Sequence, residues 1–405
     1  MKITIKKGVA QGEIIAPPSK SIAHRMIICA GLANEKSVIR GISLSEDVKA
    51  TLDCLAPLGA QYTINGDTIE ICGSELKKAK QTLEFFCRES GSTLRFFIPL
   101  ALITGKRSIF YGSEALLARP LSVYQGICKE QDLLYVQEKS RLMVEGPLRA
   151  GGFKVQGNIS SQFISGLLFA LPLLKKDSHI SITQPIESHS YIDLTLSVMR
   201  QFGIEVEWKN ERTLVIHGSQ KYKAAFGSVE GDYSNAAFFE ALNVLGGNVR
   251  INGLNEKSVQ GDRIYTKYFQ MFKKGTPSIN ISDCPDLGPI LFALAAANYG
   301  GIFTGTRRLK MKESDRGMAM AEELRKFGVS VTVNDDNIVV FPKEFHKPTE
   351  VLSGHNDHRI VMALSTLLTL FGGEIDGAEA VNKSFPDYFE KLEAVGIEVQ
   401  KNEAK

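Results

Sequence analysis

One pattern recurs six times along the chain and limits its fold more than any other feature. A polar opening leads into an apolar helical stretch, then a Gly or Lys, then a short strand. The openings lie at Ser19 (SKSIAHRMIICAGLA), Gly91 (GSTLRFFIPLALIT), Ser160 (SSQFISGLLFALPLL), Asp232 (DYSNAAFFEALNVLGG), Asp286 (DLGPILFALAAANYGG) and Asn356 (NDHRIVMALSTLLTLFGG). They are 72, 69, 72, 54 and 70 residues apart. Solenoid arrays that merely present a surface repeat every ~20–50 residues, so these units are larger than such arrays use.

Between the apolar helices runs a second unit, an amphipathic helix ending near a glycine and followed by a period-2 strand that often turns back as a hairpin. LAPLGAQYTINGDTIEIC, MRQFGIEVEWKNERTLVIHG and LRKFGVSVTVNDDNIVVF are its copies, and KEQDLLYVQEKSRLMVEG, MFKKGTPSINIS and LEAVGIEVQ are looser ones. Asn65-Gly66 and Asp335-Asp336-Asn337 offer turn residues that tolerate positive φ. The expected fold is α/β, with three units in each of two domains and each unit burying an apolar helix beneath a sheet of mixed pairing. Repeat counting divides the chain near Ser228-Val229-Glu230-Gly231 and sends the first strand back to the second half. The expected domains are therefore 19–228, and 1–18 plus 229–405.

A chain of 405 residues with 43% hydrophobic content can bury two such cores. Its 48 Lys+Arg against 45 Asp+Glu leave +3, too little for a nonspecific nucleic-acid binder, so any basic function is local. The cysteines Cys29, Cys54, Cys72, Cys87, Cys128 and Cys284 form no CxxC pair, which points to a reducing compartment and no structural zinc. The N-terminus alternates apolar and polar residues as a strand does, unlike a signal peptide. The longest apolar stretches, such as 164–174, fall short of the ~20 residues a bilayer needs, so a cytoplasmic location is expected.

The polar openings carry charges that a packed core does not require. Lys20, Ser21 and Arg25 cluster at a helix start, where unpaired N–H groups and the helix dipole attract anions; a cap with a solvated arginine is the plainer reading. Gly91 leaves room for close backbone approach, with Arg95 one turn on, and Ser160, Ser161 and Gln162 open another helix, as caps commonly do. Lys310, Lys312, Glu313, Asp315 and Arg316 precede an amphipathic helix, which simple capping and surface ion pairs would also produce. His358 and Arg359 open an apolar helix, where a guanidinium requires an anionic partner. His355 and His358 lack a carboxylate or cysteine cluster to complete a metal site, so no metal is expected. Asp286 and Glu313 are the candidates for proton transfer, although a carboxylate at a helix start is commonly a cap. With the central helices parallel in each domain, six N-termini would face one interdomain cleft. Lys20, Arg25, Arg119, Arg316, Arg359 and Lys383 would gather there, suiting a small polyanion.

PSKSIAHR, ESGSTLRFF, ARPL, NISSQFISG, ESHSYIDLTL, EGDYSNAA, DCPDLGP, MKESDR, NDHRIVMA and NKSFPDYF, in this order along the whole chain, resemble the EPSP synthase family. That resemblance implies a two-domain inverse α/β barrel of six βαβαββ repeats, three per domain, closing over substrate in an interdomain active-site cleft. It implies transfer of the enolpyruvyl group of phosphoenolpyruvate to the 5-hydroxyl of shikimate-3-phosphate by addition and elimination, within aromatic amino acid biosynthesis and without a cofactor. Carried over by motif, the shikimate-3-phosphate contacts are Lys20, Ser21, Arg25, Ser160, Ser161, Gln162, Ser188, Tyr191, Asp286 and Lys312. The phosphoenolpyruvate contacts are Lys20, Gly91, Arg119, Gln162, Arg316, Arg359 and Lys383. Asp286 would take the hydroxyl proton, and either Glu313 or Lys20 would protonate C3. The resemblance fits a monomer that takes these two metabolites and neither nucleic acid nor membrane. Cation repulsion would keep the apo form open, so scattering should show compaction with both ligands.

Glu89 stands where relatives often carry Asn, which would place a carboxylate near the phosphoenolpyruvate pocket, and Arg308 stands where some carry Asn. Gly91 leaves space that a bulkier residue would fill, which implies sensitivity to glyphosate. The UDP-N-acetylglucosamine enolpyruvyl transferases resemble the same fold, with a Lys-Asn start and a loop cysteine; here the pair is Lys20-Ser21 and no cysteine flanks residues 118–120. A non-catalytic module binding a phosphorylated ligand is the alternative from another class.

Overall fold

The computed structural model describes residues 1–74, 76, 82–342 and 344–402. They form two compact units, Pro18–Glu230 and Met1–Pro17 with Gly231–Lys405. Lys2–Ile5 pairs antiparallel with Gly373–Asp376 and Val399–Asn402, and Gln11–Ile15 lies parallel to Asn248–Asn252. The N-terminal strands thus complete sheets of the second half of the chain.

The repeat can be followed from residue 82. Thr82–Phe86 leads into the helix Gly91–Ile103, and Arg107–Tyr111 returns parallel to the first strand. The helix Ser122–Glu130 follows, then a hairpin of Leu134–Gln137 and Arg141–Glu145 whose second strand pairs antiparallel with Arg107–Tyr111. Period-2 patterning sets the buried face: Leu83 and Phe85 are buried, whereas Thr82, Glu84 and Phe86 are exposed. The same strand order recurs in the sheets containing Ser178–Thr183 and Gly301–Thr304. Two further four-stranded sheets borrow a strand from elsewhere in the chain, Phe226–Ser228 beside Lys36–Arg40 and Lys2–Ile5 beside Gly373–Asp376.

One unit is shorter than the sequence pattern promised. Asn248–Asn252 and Gln11–Ile15 make a two-stranded sheet. After the helix Tyr265–Phe272 the segment expected as a looser hairpin copy, MFKKGTPSINIS, delivers Ser278–Asn280 to the next sheet. The 54-residue interval between Asp232 and Asp286 is short by about the length of a hairpin. The turn at Asp335–Asn337 joins the expected hairpin without using the positive φ that its residues tolerate. Gly66 adopts φ 62°, but none of Asp335, Asp336 and Asn337 has positive φ. That turn is closed through Asn334, whose N–H donates to the Asn337 carbonyl at 2.9 Å and whose amide meets the Asn337 side chain at 2.9 Å.

The apolar helices are interior because they have no polar face to offer water. Every residue from Gly288 to Ala296 is buried. Gly166 brings two of these helices together, since a Cβ there would collide with the Arg95 carbonyl and the Tyr124 hydroxyl, which themselves bond at 2.6 Å. Truncating a core residue such as Phe97, 0% exposed, would cost about 3–5 kcal/mol. The second helix set is one-sided, as in His189–Gln201, which buries Ile192, Leu194, Leu196, Val198 and Met199. No helix among the described residues is long and apolar enough to cross a membrane.

Candidate active site

In the unit Pro18–Glu230 the polar helix starts are tied together by buried hydrogen bonds. Lys20, the first residue of the helix Lys20–Leu32, meets Asp47 Oδ2 at 2.9 Å, both side chains being mostly buried. Arg25 lies one turn further on and is 3% exposed. It donates to Thr195 Oγ1 at 2.8 Å, to the Ser21 carbonyl at 2.8 Å and to the Tyr191 carbonyl at 3.2 Å. Its guanidinium stands 5.3 Å from the Phe96 ring centroid and 5.9 Å from that of Tyr191. Burial draws its pKa down to about 10, which leaves it charged at neutral pH. Thr195 also bonds Ser165 at 2.7 Å, so Arg25 links three helices. Beside it, His24 Nδ1 lies 2.6 Å from Thr51 Oγ1, itself 2.7 Å from Thr93 Oγ1. Burial first, and then Lys20 and Arg25, hold this imidazole well below its usual pKa and therefore neutral.

Gln162 joins the next two openings. Its Oε1 accepts from Arg95 Nη1 at 2.7 Å and its amide donates to Ser92 Oγ at 2.9 Å. Ser160 caps the helix Ser161–Ala170 by accepting from Gln162 N–H at 3.3 Å, and Ser161 is buried at the first helical position. A Cβ built on Gly91 would lie 3.0 Å from Arg119 Nη1 and 3.2 Å from Arg95 Nη1. Gly91 therefore lets two guanidinium groups close on a helix N-terminus. Ser188, buried at φ 57°, starts the helix His189–Gln201 without capping it. Glu89 lines a cavity of about 330 Å³ with Phe86, Arg88, Tyr111, Gly112 and Ser113.

In the other unit, Asp286 is the hub. It sits in the turn Pro285–Leu287 before the helix Gly288–Ala297, whose N-cap position is Leu287. Its Oδ1 accepts from Lys312 Nζ at 2.9 Å and from Arg316 Nη1 at 2.7 Å, and its Oδ2 from Arg359 Nη2 at 3.3 Å. Burial pushes the Asp286 carboxyl up, but Arg359, Lys312 and Arg316 together outweigh it and hold the pKa well below the usual range. Burial lowers the Lys312 pKa, against the pull of Asp286.

The plainer reading of the Arg316 segment, surface ion pairs, does not hold. The Arg316 side chain is 1% exposed and also meets Asp357 Oδ2 at 2.8 Å and Glu313 Oε2 at 2.8 Å. Glu313 thus pairs with Arg316, while Lys312 turns to Asp286. Asp357 caps the helix His358–Phe371 by accepting from Arg359 N–H at 2.9 Å, and it accepts from Ser314 at 3.1 Å. Lys383 donates to the Asn356 carbonyl at 2.7 Å. Arg308 is buried and adds to the positive field on Lys312.

Against the expectation from sequence, two carboxylates accompany His355. Glu322 and Glu323 bring ligand-type oxygens within 4.8 Å of its ring nitrogen, although Glu323 already accepts from Lys326. His358 is buried at the start of the helix His358–Phe371, outside the group.

The sequence-derived residues thus fall into two sets, one per unit. Lys20, Ser21, Arg25, Gly91, Arg119, Ser160, Ser161, Gln162, Ser188 and Tyr191 belong to the first, and Asp286, Lys312, Glu313, Arg316, Arg359 and Lys383 to the second. Four participants were missed. Asp47 and Thr195 hold Lys20 and Arg25, Asp357 holds Arg316, and Asp262 lies 3% exposed within the field of Asp286 and Arg359. Asp357 had a signal, since an aspartate two residues before a helical arginine is a cap position.

The sequence profile of the family described as EPSP synthase (3-phosphoshikimate 1-carboxyvinyltransferase) matches residues 5–392. A 3-phosphoshikimate 1-carboxyvinyltransferase of Clostridium acetobutylicum is 41% identical over 412 residues, covering 96% of each chain. One from Clostridium kluyveri is 38% identical, covering 98% of each. Two structures of EPSP synthase from Acinetobacter baumannii superpose with TM-scores of 0.77 and 0.78 at 22% and 21% identity. They cover 99% and 100% of this chain and 100% of their own, a likeness of fold.

Proposed function

We propose, for a chain that belongs to the EPSP synthase (3-phosphoshikimate 1-carboxyvinyltransferase) family, that the two residue sets serve one enolpyruvyl transfer from phosphoenolpyruvate to shikimate-3-phosphate. Arg25, with Lys20, Ser21, Ser160, Ser161, Gln162, Ser188 and Tyr191, receives the phosphorylated acceptor. Arg316, Arg359 and Lys383, with Lys20, Arg119, Gln162 and the open space at Gly91, receive phosphoenolpyruvate. Guanidinium forks suit this task because both substrates present carboxylate and phosphate oxygens in pairs.

The observation that carries the reading is the Asp286 carboxylate resting on Lys312, Arg316 and Arg359. Clamped in this way it is a weak base. Substrate anions that engage those cations withdraw positive charge from Asp286 and raise its proton affinity when the acceptor hydroxyl is in place. The acceptor oxygen then bonds to C2 of the enolpyruvate, Asp286 takes its proton, and C3 gains a proton from Glu313 or Lys20. Loss of a C3 proton and of phosphate from the tetrahedral adduct restores the enol ether. Cations around the adduct stabilise its charge. A monomer in the cytoplasm, acting on small molecules and not on nucleic acid or membrane, belongs to the same proposal.

The test is a phosphate-release assay on the purified chain. Release with shikimate-3-phosphate and phosphoenolpyruvate, and none with UDP-N-acetylglucosamine as acceptor, is the expected outcome. Binding without release would reduce the chain to a ligand-binding module.

A further inference from the structure

We propose that Glu323 is a positioning residue for phosphoenolpyruvate capture, because it fixes the turn 353–357 that holds both Arg316 and Lys383. The inference rests on the reading of those two cations given above.

Glu323 is 0% exposed and lies two turns beyond Arg316 on the helix Arg316–Arg325, on the same face. Its oxygens accept from Lys326 Nζ at 2.9 and 3.0 Å, from the Ser353 N–H at 2.9 Å and meet His355 Nε2 at 2.9 Å. Neutralising Lys326 would account for an ordinary buried ion pair, but not for the two bonds into the turn. The turn itself is strained: His355 and Asn356 are consecutive non-glycine residues at φ 47° and 52°. Such residues persist only where the surroundings over-determine them. At one end Glu323 holds Ser353 and His355. At the other, the Asn356 carbonyl accepts from Lys383 and the Asp357 carboxylate holds Arg316. One helix therefore grips the turn at two points, and the turn sets the positions of two cations.

The grip has a charge component. The hydrogen bond to Glu323 holds the His355 pKa above its usual value, against burial, with Glu322 adding to it and Lys326 opposing. His355 lines a groove with Asp315, Glu322 and Arg325, to which the strand Val329–Val333 lends only neutral residues. Protonated His355 strengthens the bond to Glu323, and its neutral form weakens it.

Steady-state kinetics across pH test the proposal with wild type, Glu323→Gln and His355→Gln, each checked for folding by circular dichroism. We expect Glu323→Gln to raise KM for phosphoenolpyruvate about tenfold, as loss of a charge-assisted bond would. KM for shikimate-3-phosphate should stay unchanged. Wild-type KM should climb as pH passes above the His355 pKa, and His355→Gln should lack that inflection; titration of the substrate is common to all three proteins. His355 lies on a partly exposed turn, so its variant decides the matter if Glu323→Gln does not fold. Variants that keep the wild-type KM and pH profile overturn the inference. Lys383→Met separates the two levels: if it raises KM while the other variants do not, only this inference falls, and if it leaves KM unmoved the underlying reading falls with it.

Discussion

Arg316 Nε and Asp357 Oδ2 are 2.8 Å apart, with side chains 1% and 0% exposed. Arg316 keeps Asp286 at 2.7 Å and Glu313 at 2.8 Å when Asp357 is removed, so the loss is one buried charge-assisted bond, about 1–3 kcal/mol, and not a stranded charge. Asp357→Ala also removes the cap of the helix His358–Phe371. It should lower the unfolding free energy by that amount in urea titrations, whereas Asp357→Asn, which keeps an acceptor for the Arg359 N–H, should lose less. An alanine variant as stable as wild type would show that the pair is not a structural hinge point.

Asp286→Asn separates turnover from binding. The base is lost, so kcat should fall by about 10²–10⁴. Lys312, Arg316 and Arg359 lose a competing anion, so KM for phosphoenolpyruvate should hold steady or fall. Because the folded pKa of Asp286 is depressed, its ionised form is already complete at neutral pH. The stability it contributes is present above the unfolded carboxylate value and disappears only as pH falls through the folded one. A proportional loss of binding and turnover would deny Asp286 the role of base.

The contrast with Asp357 marks what the sequence discloses. The inner helices were legible because they are apolar on every side, and the return of the first strand followed from counting units. The missing hairpin was written in the 54-residue interval, yet the pattern MFKKGTPSINIS was similar enough to its neighbours to conceal it. The cations were legible as residues at helix starts. Their partners were not, because Asp286 and Asp357 lie 30 and 41 residues from Arg316 and only folding joins them. Nor does KESDR distinguish a buried arginine from a solvated one, since alternating charges read the same on a surface. Asp262 carried no local signal at all.

Asp262 yields a stability prediction of the opposite sign to Asp286. Burial, joined by the Asp286 charge and opposed by Arg359, raises its pKa to about 6. Between the unfolded value of 3.8 and 6 the folded state binds more protons than the unfolded one, so this group destabilises the fold progressively as pH rises through that window. Asp262→Asn should therefore be more stable than wild type at pH 7–8, by up to about 3 kcal/mol. The difference should vanish near pH 4. Chemical denaturation at the two pH values checks it, and a variant less stable at pH 8 than at pH 4 relative to wild type would reverse the sign.

Gly91→Ala tests how closely the guanidinium groups approach the helix start. The added Cβ would stand 3.0 Å from Arg119 Nη1 and 3.2 Å from Arg95 Nη1, closer than carbon and nitrogen normally rest. Both atoms end long side chains, so each can withdraw by a few tenths of an ångström without disturbing the helix Gly91–Ile103. Folding should be nearly unaffected, since alanine is a better helix former than glycine by about 1 kcal/mol. Arg95 also donates to Gln162, so its withdrawal moves two proposed phosphoenolpyruvate contacts, Arg119 and Gln162, together. Misplaced charge-assisted bonds of this kind should raise KM for phosphoenolpyruvate roughly three- to tenfold, with kcat changed far less. Glyphosate, expected to depend on the space Gly91 leaves, should lose more affinity than the substrate does. Parallel measurement of KM and of glyphosate inhibition in wild type and variant decides this: equal inhibition of the two proteins would mean that the space beside Gly91 is not where the inhibitor lies.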